Sequence, residues 1–275
     1  TQELKTAVAL IAQDKVVEGI QALDQVGCIQ EIQDWEQQLK KLVDDYLKLS
    51  LQERSRTLLL SGTNQQRLEL TQRIRERLQA EGTLSRDVFT LMGLRPRNLT
   101  TIQSCYTSVY ELGNVLVPHQ DYKRQGLVKA QQYTVLAQDR STNQLTLETP
   151  MGQILTINPA QCRKKSVYEA QPLQVAAGDR LRWTKNNRDA GIRNGQTFIV
   201  NHIAPDGIAQ ITDSEGKTME INLSGRQYLD YAWVSTTYSS QGKTADRVFA
   251  LVDGSTTNRE SFYVTVSRAK HHLSL

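Results

Sequence analysis

The chain has 275 residues, of which 39% are hydrophobic and 23% charged, with only 6 Pro and 16 Gly. That composition folds, so wholesale disorder is excluded, and the length suits one or two domains. With 33 Lys and Arg against 29 Asp and Glu the net charge is +4, which permits a polyanionic partner without requiring one.

Up to about residue 110 the sequence reads as helices with one strand. Ala7, Leu10 and Ile11 recur at helical spacing, and Val17, Ile20, Leu23 and Val26 repeat it before Gly27. A third helix is predicted from about Ile32 to Leu47. Thr57-Leu58-Leu59-Leu60-Ser61 is a short apolar run suited to a buried parallel strand. Gly62-Thr63-Asn64 supplies a turn and helix N-caps, and Leu70, Ile74 and Leu78 mark a helix ending before Gly82.

From 111 to 226 β-branched residues, alternation and turn signals dominate, and the chain repeats itself. Gly113-Asn114-Val115-Leu116 matches Gly178-Asp179-Arg180-Leu181 at an offset of 65. Gly126-Leu127, Gln131, Tyr133 and Val135 fall on Gly191-Ile192, Gln196, Phe198 and Val200 in the same register, and Met151-Gly152-Gln153 aligns with Glu215-Gly216-Lys217 at 64. Two copies of one small, partly open SH3-like β unit are predicted. The basic link Cys162-Arg163-Lys164-Lys165 lies between them.

From 227 to 275 the pattern returns to α/β. Tyr231-Ala232-Trp233-Val234 and Arg247 to Val252 read as strands, with a turn and short helix around Ser239-Ser240-Gln241-Gly242 between them. A helix from about Arg259 to Ala269 and a final strand to Leu275 follow. This alternation implies a parallel sheet, so the β zone is an insertion into an α/β domain formed by 1–110 and 227–275.

No stretch of about 18 apolar residues is present, so no membrane-spanning helix is predicted. The start, Thr1-Gln2-Glu3-Leu4-Lys5, lacks the basic flank and apolar run of a signal peptide. The missing initiator Met and the apolar end at Leu275 suggest a piece of a longer chain. Cys28, Cys105 and Cys162 form neither a metal-ligand spacing nor a disulfide framework, which fits a reducing cytoplasm. The four histidines stand apart from any ligand cluster, so no metal site is predicted. Gly242-Lys243-Thr244 looks like the tail of a phosphate-binding P-loop. That loop needs a first glycine five positions earlier, where Thr237 stands.

The run Leu229 to Gly242 and the run Phe262-Tyr263-Val264-Thr265-Val266-Ser267-Arg268-Ala269-Lys270 carry more information. Together they resemble motifs V and VI of superfamily 1 helicases of the RecD-like branch. Tyr238-Ser239-Ser240-Gln241-Gly242-Lys243-Thr244-Ala245-Asp246-Arg247 is similar to the helicase half of conjugative relaxases of the TraI/TrwC type, and Leu58-Leu59-Leu60-Ser61-Gly62-Thr63-Asn64-Gln65-Gln66-Arg67 looks like motif IV. The resemblance covers nearly the whole chain in the right order, with SH3-like insertions before motif V.

That resemblance implies a RecA-like parallel-sheet lobe of the P-loop NTPase fold, the second of two, with inserted SH3-like units and an N-terminal helical segment. It implies ATP and Mg²⁺ as cofactors of the full-length protein, with the P-loop and the acidic Mg²⁺ motif on an upstream lobe, none bound by this piece alone. Single-stranded DNA, that lobe and a relaxase domain of the same polypeptide are the implied partners, and 5′ to 3′ translocation in the cytoplasm the implied activity. A degenerate half kept as a DNA-binding or docking module, or a RecD-like repair helicase, are the alternatives.

Arg268, following a buried apolar stretch, is implied to act as an arginine finger on the γ-phosphate, as a fixed guanidinium suits developing charge. Gln241 and Gly242, an ATP-binding pair beside it, are implied to form a loop that senses both nucleotide and DNA. Arg67 is either a second phosphate contact or, with Arg73, Arg75 and Arg77, part of a solvated charged face. Thr63, Asn64, Thr236, Thr237 and Tyr238 collect at strand ends, where hydroxyls and helix N-termini hold backbone phosphates, although Thr63 or Asn64 could equally be N-caps. The family usually has His at Tyr238 and an acidic residue near Thr244, while a Tyr there could stack on a base. Trp183, among Arg180, Arg182, Lys185 and Arg188, is either a DNA-contacting pin or core packing.

Overall fold

A computed structural model describes residues 2–188 and 190–275. In chain order, α1 (Gln2–Ala12), α2 (Val16–Gln25), α3 (Trp35–Leu47) and α4 (Leu51–Ser55) precede β1 (Thr57–Ser61) and α5 (Asn64–Glu81). Next come β2 (Val88–Pro96), β3 (Val115–Pro118), β4 (Tyr133–Asp139), β5 (Gln144–Glu148), β6 (Ile154–Ile157) and β7 (Lys165–Ala176). They are followed by β8 (Arg180–Trp183), β9 (Thr197–Ile203), β10 (Ile208–Asp213), β11 (Thr218–Asn222), β12 (Arg226–Gln227) and β13 (Leu229–Tyr231). The chain closes with β14 (Val234–Thr236), β15 (Ala245–Ala250), α6 (Arg259–Val266) and β16 (Ala269–Ser274). Two compact units result: Thr1–Leu84 with Tyr231–Leu275, and Ser85–Asp230.

The first unit is the predicted mixed α/β body with a parallel sheet. Its four strands run in the order β14-β1-β15-β16, each neighbouring pair parallel. Strand β1 is apolar because it is covered on both faces. Leu60, Val248, Ala250 and Leu273 share one core with Phe262 and Val266 of α6 and with Leu4, Ala7, Ile11 and Leu23 of α1 and α2. Leu59 and its neighbour Phe249 alternate to the opposite face. Helices α3 and α5 touch each other and β15, β1 and β14. The third helix starts at Trp35, later than Ile32, because the Asp34 carboxylate accepts the Gln37 N–H (2.8 Å) and fixes the cap there. Helix α5 ends at Gly82, whose φ of 77° is the left-handed C-cap expected of glycine.

In the second unit the repeated residues build the same structure twice. Each copy is a four-stranded antiparallel meander, β3-β4-β5-β6 and β8-β9-β10-β11. Gly113 N–H donates to the Val135 carbonyl (2.8 Å) and Val135 N–H to the Asn114 carbonyl (2.8 Å). The second copy repeats this with Gly178 to Val200 (2.7 Å) and Val200 to Asp179 (2.9 Å). The buried side chains of Asn114 and Asp179 each accept the N–H three residues upstream, from Glu111 (3.1 Å) and Ala176 (2.9 Å). Even the β-bulge recurs, between Val135 and Ala137 in one copy and opposite Val200 and His202 in the other. The offset falls from 65 to 64 because the second copy loses one residue between its second and third strands. In the basic link, Lys165 is buried with Nζ donating to the carbonyls of Pro159 (2.9 Å) and Cys162 (2.8 Å), and burial pushes its pKa down to about 8.

This compact unit is wider than the 111–226 stretch. Strand β2 pairs along its length with β7, from Val88 opposite Ala176 to Pro96 opposite Tyr168. The apolar pattern of β2 is interrupted by Gly93 and closed by Pro96, which weakens its strand signal. The run 231–234, expected as one strand, is divided: Tyr231 ends β13 in the five-stranded sheet and Val234 begins β14 in the parallel sheet.

Asp179 is fully buried, so Asp179→Ala strands the Ala176 N–H and removes the bond that closes the turn before β8. Urea unfolding should show a loss of roughly 1–3 kcal/mol. A loss below about 0.5 kcal/mol, the range of neutral surface changes, would mean the turn closes without this side chain.

Candidate functional site

The parallel sheet has two edges, and the predicted residues divide between them. At the carboxyl ends of β1 and β14, Ser61 is level with Thr236, and Thr237 N–H donates to the Ser61 carbonyl (3.0 Å). This sets Thr236-Thr237-Tyr238 beside Gly62-Thr63-Asn64. The Thr63 hydroxyl accepts the Gln66 N–H (3.2 Å), and Gln66 Oε1 accepts from the N–H groups of Gly62 (3.1 Å) and Thr63 (3.2 Å). Thr63 is therefore the N-cap of α5 and Asn64 its first residue. A Cβ on Gly62 would lie 2.9 Å from Thr256 Oγ1, so glycine lets the turn after β15 pack here. Asp253 shapes that turn by accepting the Ser255 N–H (2.8 Å) and hydroxyl (2.9 Å), bonds that hold its carboxyl below the usual range.

Tyr238 is 82% exposed, leaving its ring open to a stacking base. Thr237 departs from its expected role as a direct DNA contact. It is buried, and its hydroxyl meets Thr265 Oγ1 (3.2 Å) inside the unit.

Residues 237–244 then cross β1 to begin β15 at the opposite edge. Leu60 is level with Ala250, so Ser61 stands six residues above Ala245. At about 3.3 Å per residue the two edges are roughly 20 Å apart. Arg268 sits at the lower edge, between α6 and β16, and its carbonyl accepts the Ala245 N–H (3.0 Å). Its guanidinium is half-buried and anchored: Nε donates to the Val264 carbonyl (3.0 Å), Nη1 to the Lys243 carbonyl (3.0 Å) and Nη2 to Ser267 Oγ (2.9 Å). Gln241 and Gly242 are exposed, and Gly242 adopts a φ of 80°. Farther along this edge, burial and then Arg247 lower the pKa of His272.

Arg67 adjoins the upper-edge cluster through Asn64 but is buried. It is 1% exposed, and its Nε donates to Asn64 Oδ1 (3.2 Å). A buried guanidinium presents no surface to a phosphate, so in this fold Arg67 supports the start of α5. Its neighbours are more exposed, but they are paired and not simply solvated. Arg73 bonds Glu36 (2.8 Å) and Glu69 (3.1 Å), Arg77 bonds Asp44 (2.7 Å), and Arg75 lies 4.6 Å over the Tyr231 ring.

Trp183 belongs to the other unit, where its ring packs 5.2 Å from the buried Phe198. Of the basic residues around it, Arg182 pairs with Asp230 (2.7 Å) and Lys185 lies 4.2 Å over the Tyr228 ring. Sequence reasoning passed over the buried hydroxyls of Ser240 and Thr265. Their signal was a polar residue inside an apolar or turn-forming run. None of the predicted site residues lines the apolar cavity of about 360 Å³ between residues 29–33, α3 and the ends of β15 and β16. Among the described residues no group of three or more His, Cys, Asp or Glu could hold a metal, and no helix is long and apolar enough to cross a membrane.

Residues 93–175 match the family of the DNA relaxase TraI 2B/2B-like domain. The chain is 25% identical over 247 residues to the Multifunctional conjugation protein TraI of Escherichia coli, a match covering 85% of this chain and 13% of that protein. The Conjugal transfer protein TraA of Agrobacterium fabrum is 31% identical over 101 residues, 36% of this chain and 9% of TraA. The chain thus spans a small part of the curated relatives it matches. A Pif1 helicase structure concerned with unwinding at forked dsDNA aligns with 89% of this chain and 47% of its own at 14% identity and a TM-score of 0.40. Pif1 from Bacteroides with ADP-AlF3 and ssDNA aligns with 100% and 49% at 13% identity and 0.34. Both scores are too low to establish a shared fold.

By sequence the chain is similar to conjugation proteins of the TraI kind over 85% of its length.

If Arg67 supports α5, Arg67→Ala should lower stability by roughly 3 kcal/mol in urea unfolding, the scale of losing a large buried side chain and its polar contacts. A variant as stable as the parent would return Arg67 to the list of phosphate contacts.

Proposed function

We propose that this chain is the second RecA-like lobe of an ATP-dependent helicase that moves 5′ to 3′ along single-stranded DNA during conjugative transfer in the cytoplasm. The observation that carries the proposal is the division of the motif residues between two edges of one parallel sheet. One edge offers an anchored cation; the other offers hydroxyls, a helix N-terminus and an exposed tyrosine. A nucleotide and a DNA strand need different chemistry, and a motor needs them apart but mechanically joined.

At the lower edge the residues fit a terminal phosphate. The carbonyls of Val264 and Lys243 and the Ser267 hydroxyl fix the Arg268 guanidinium before anything binds. A preorganised charge stabilises a transition state without reorganisation at the moment of reaction. Gln241 and Gly242 are exposed close to it in the chain. ATP supplies the bond to be cleaved, and Mg²⁺, held by a first lobe with its own P-loop, neutralises the phosphates.

At the upper edge Thr63, Asn64, Thr236 and Tyr238 form the strand-binding face. Hydroxyls and N-terminal N–H groups of α5 contact phosphates without reading bases, and Tyr238 stacks on one. The inserted meanders are two SH3-like barrels, with Trp183 as a further strand contact. A relaxase domain in the same polypeptide would deliver the strand.

ATPase assays test this reading. The chain 1–275 alone should show no DNA-stimulated hydrolysis, because the first lobe supplies the P-loop. In the polypeptide with both lobes, Arg268→Ala should lower kcat by roughly 10³-fold, the low end for an arginine finger, with a far smaller change in nucleotide affinity. Unchanged turnover would remove Arg268 from the reaction. Robust hydrolysis by 1–275 would contradict its assignment as a second lobe that depends on a first.

A further inference from the structure

The buried hydroxyls of Thr237, Ser240 and Thr265 (9%, 0% and 3% exposed) lie on the path between the two sheet edges. Their hydrogen bonds close a ring. The Thr265 hydroxyl donates to the Ser261 carbonyl one turn back in α6 (2.9 Å). Having spent its proton, it accepts at the 3.2 Å contact from Thr237 Oγ1. Ser240 Oγ donates to the Thr237 carbonyl (2.6 Å), Lys243 N–H to the Ser240 carbonyl (2.9 Å), and Arg268 Nη1 to the Lys243 carbonyl (3.0 Å). Arg268 N–H returns to the Thr265 carbonyl (3.3 Å).

We infer that Thr265 is a positioning residue that couples the strand-binding edge to Arg268; this rests on the helicase reading above. Two routes join Thr237 to Arg268. One follows the chain through Ser240 and Lys243. The other is the single Thr237–Thr265 hydrogen bond, which ties the connector to the last turn of α6, where Arg268 hangs. With both intact, a displacement of Thr236 and Thr237 moves the connector and α6 together, and the guanidinium with them. Without the second, the Thr237 end of the connector loses its direct tie to α6, and only the far end, at Lys243, still holds Arg268.

Packing alone does not call for a hydroxyl here. Thr265 lies in the apolar run Phe262 to Val266, where valine has the same shape and no polar group to bury. Removing the hydroxyl also strands no donor, because Thr237 Oγ1 still has the Ser61 carbonyl at 3.4 Å. The hydroxyl is therefore explained by the tie it makes.

The test uses the polypeptide with both lobes, comparing wild type, Thr265→Val and Thr265→Ser. Two quantities are measured: the ratio of ATP turnover with and without saturating oligo(dT), and the ratio of oligo(dT) affinities with and without ADP–aluminium fluoride. Thr265→Val should keep DNA-free turnover, while both ratios fall roughly 2- to 30-fold, the range for one cut link in a coupling network. The affinity ratio tests coupling as a binding property, independently of the chemical step. Thr265→Ser should restore both. Wild-type ratios in Thr265→Val would overturn the inference. Should Thr265→Val fail to fold, Thr237→Val removes the other partner of the same hydrogen bond and is read the same way. A wild type with no DNA-stimulated turnover would instead sink the helicase reading, and the coupling role with it.

Discussion

Strand β1 is hydrogen-bonded on both sides by parallel partners, β14 and β15. Because consecutive parallel strands flank it, residues 237–244 have to cross it from one edge of the sheet to the other. The crossing carries Thr236 to Tyr238 at its start and Gln241 to Lys243 at its end. A single segment therefore touches both the face suited to a strand and the face suited to a nucleotide. The apolar Leu58-Leu59-Leu60 run fixes this arrangement, since burial on both sides is what holds β1 in the middle.

Arg268 gains its definition from the same geometry. Its guanidinium is clasped between the end of α6 and the carbonyl of Lys243, the last part of the crossing. The clasp makes its position depend on the path of the connector, not only on the helix that carries it. The inserted unit interrupts none of this. It leaves after α5 and returns before β14, so β1 and β14 pair although all of Ser85–Asp230 lies between them. Inside it, the duplicated meanders preserve hydrogen bonds, turn side chains and bulge, while Tyr133 is replaced by Phe198 and Asn114 by Asp179. What persists is the backbone constraint; what varies is chemistry that can satisfy it equally.

Much of this was legible in the residues. The apolar run of β1, the N-cap at Thr63, the stop at Gly82 and the register of the repeat each follow from local rules that tertiary context did not override. The family likeness gathered Gln241, Gly242 and Arg268, and the fold brings them to one edge. Other features were not legible. The burial of Arg67 depends on packing around the start of α5, and a row of arginines at 67, 73, 75 and 77 looks like a solvated face until the helix is placed. The inward turn of the Thr237 hydroxyl needs Thr265, which lies 28 residues away in sequence. Strand β2 was hidden because its partner β7 is remote and its own pattern is broken by Gly93.

The central claim is that strand binding and nucleotide response occupy opposite edges of one parallel sheet. Amide chemical-shift mapping of 1–275 during titration with oligo(dT) addresses it most directly. The account predicts that the largest shifts fall on Gly62, Thr63 and Asn64 and on Thr236, Tyr238 and Ser239. Shifts confined to Gln241 to Lys243 and Arg268, with Thr63 and Thr236 unmoved, would contradict it.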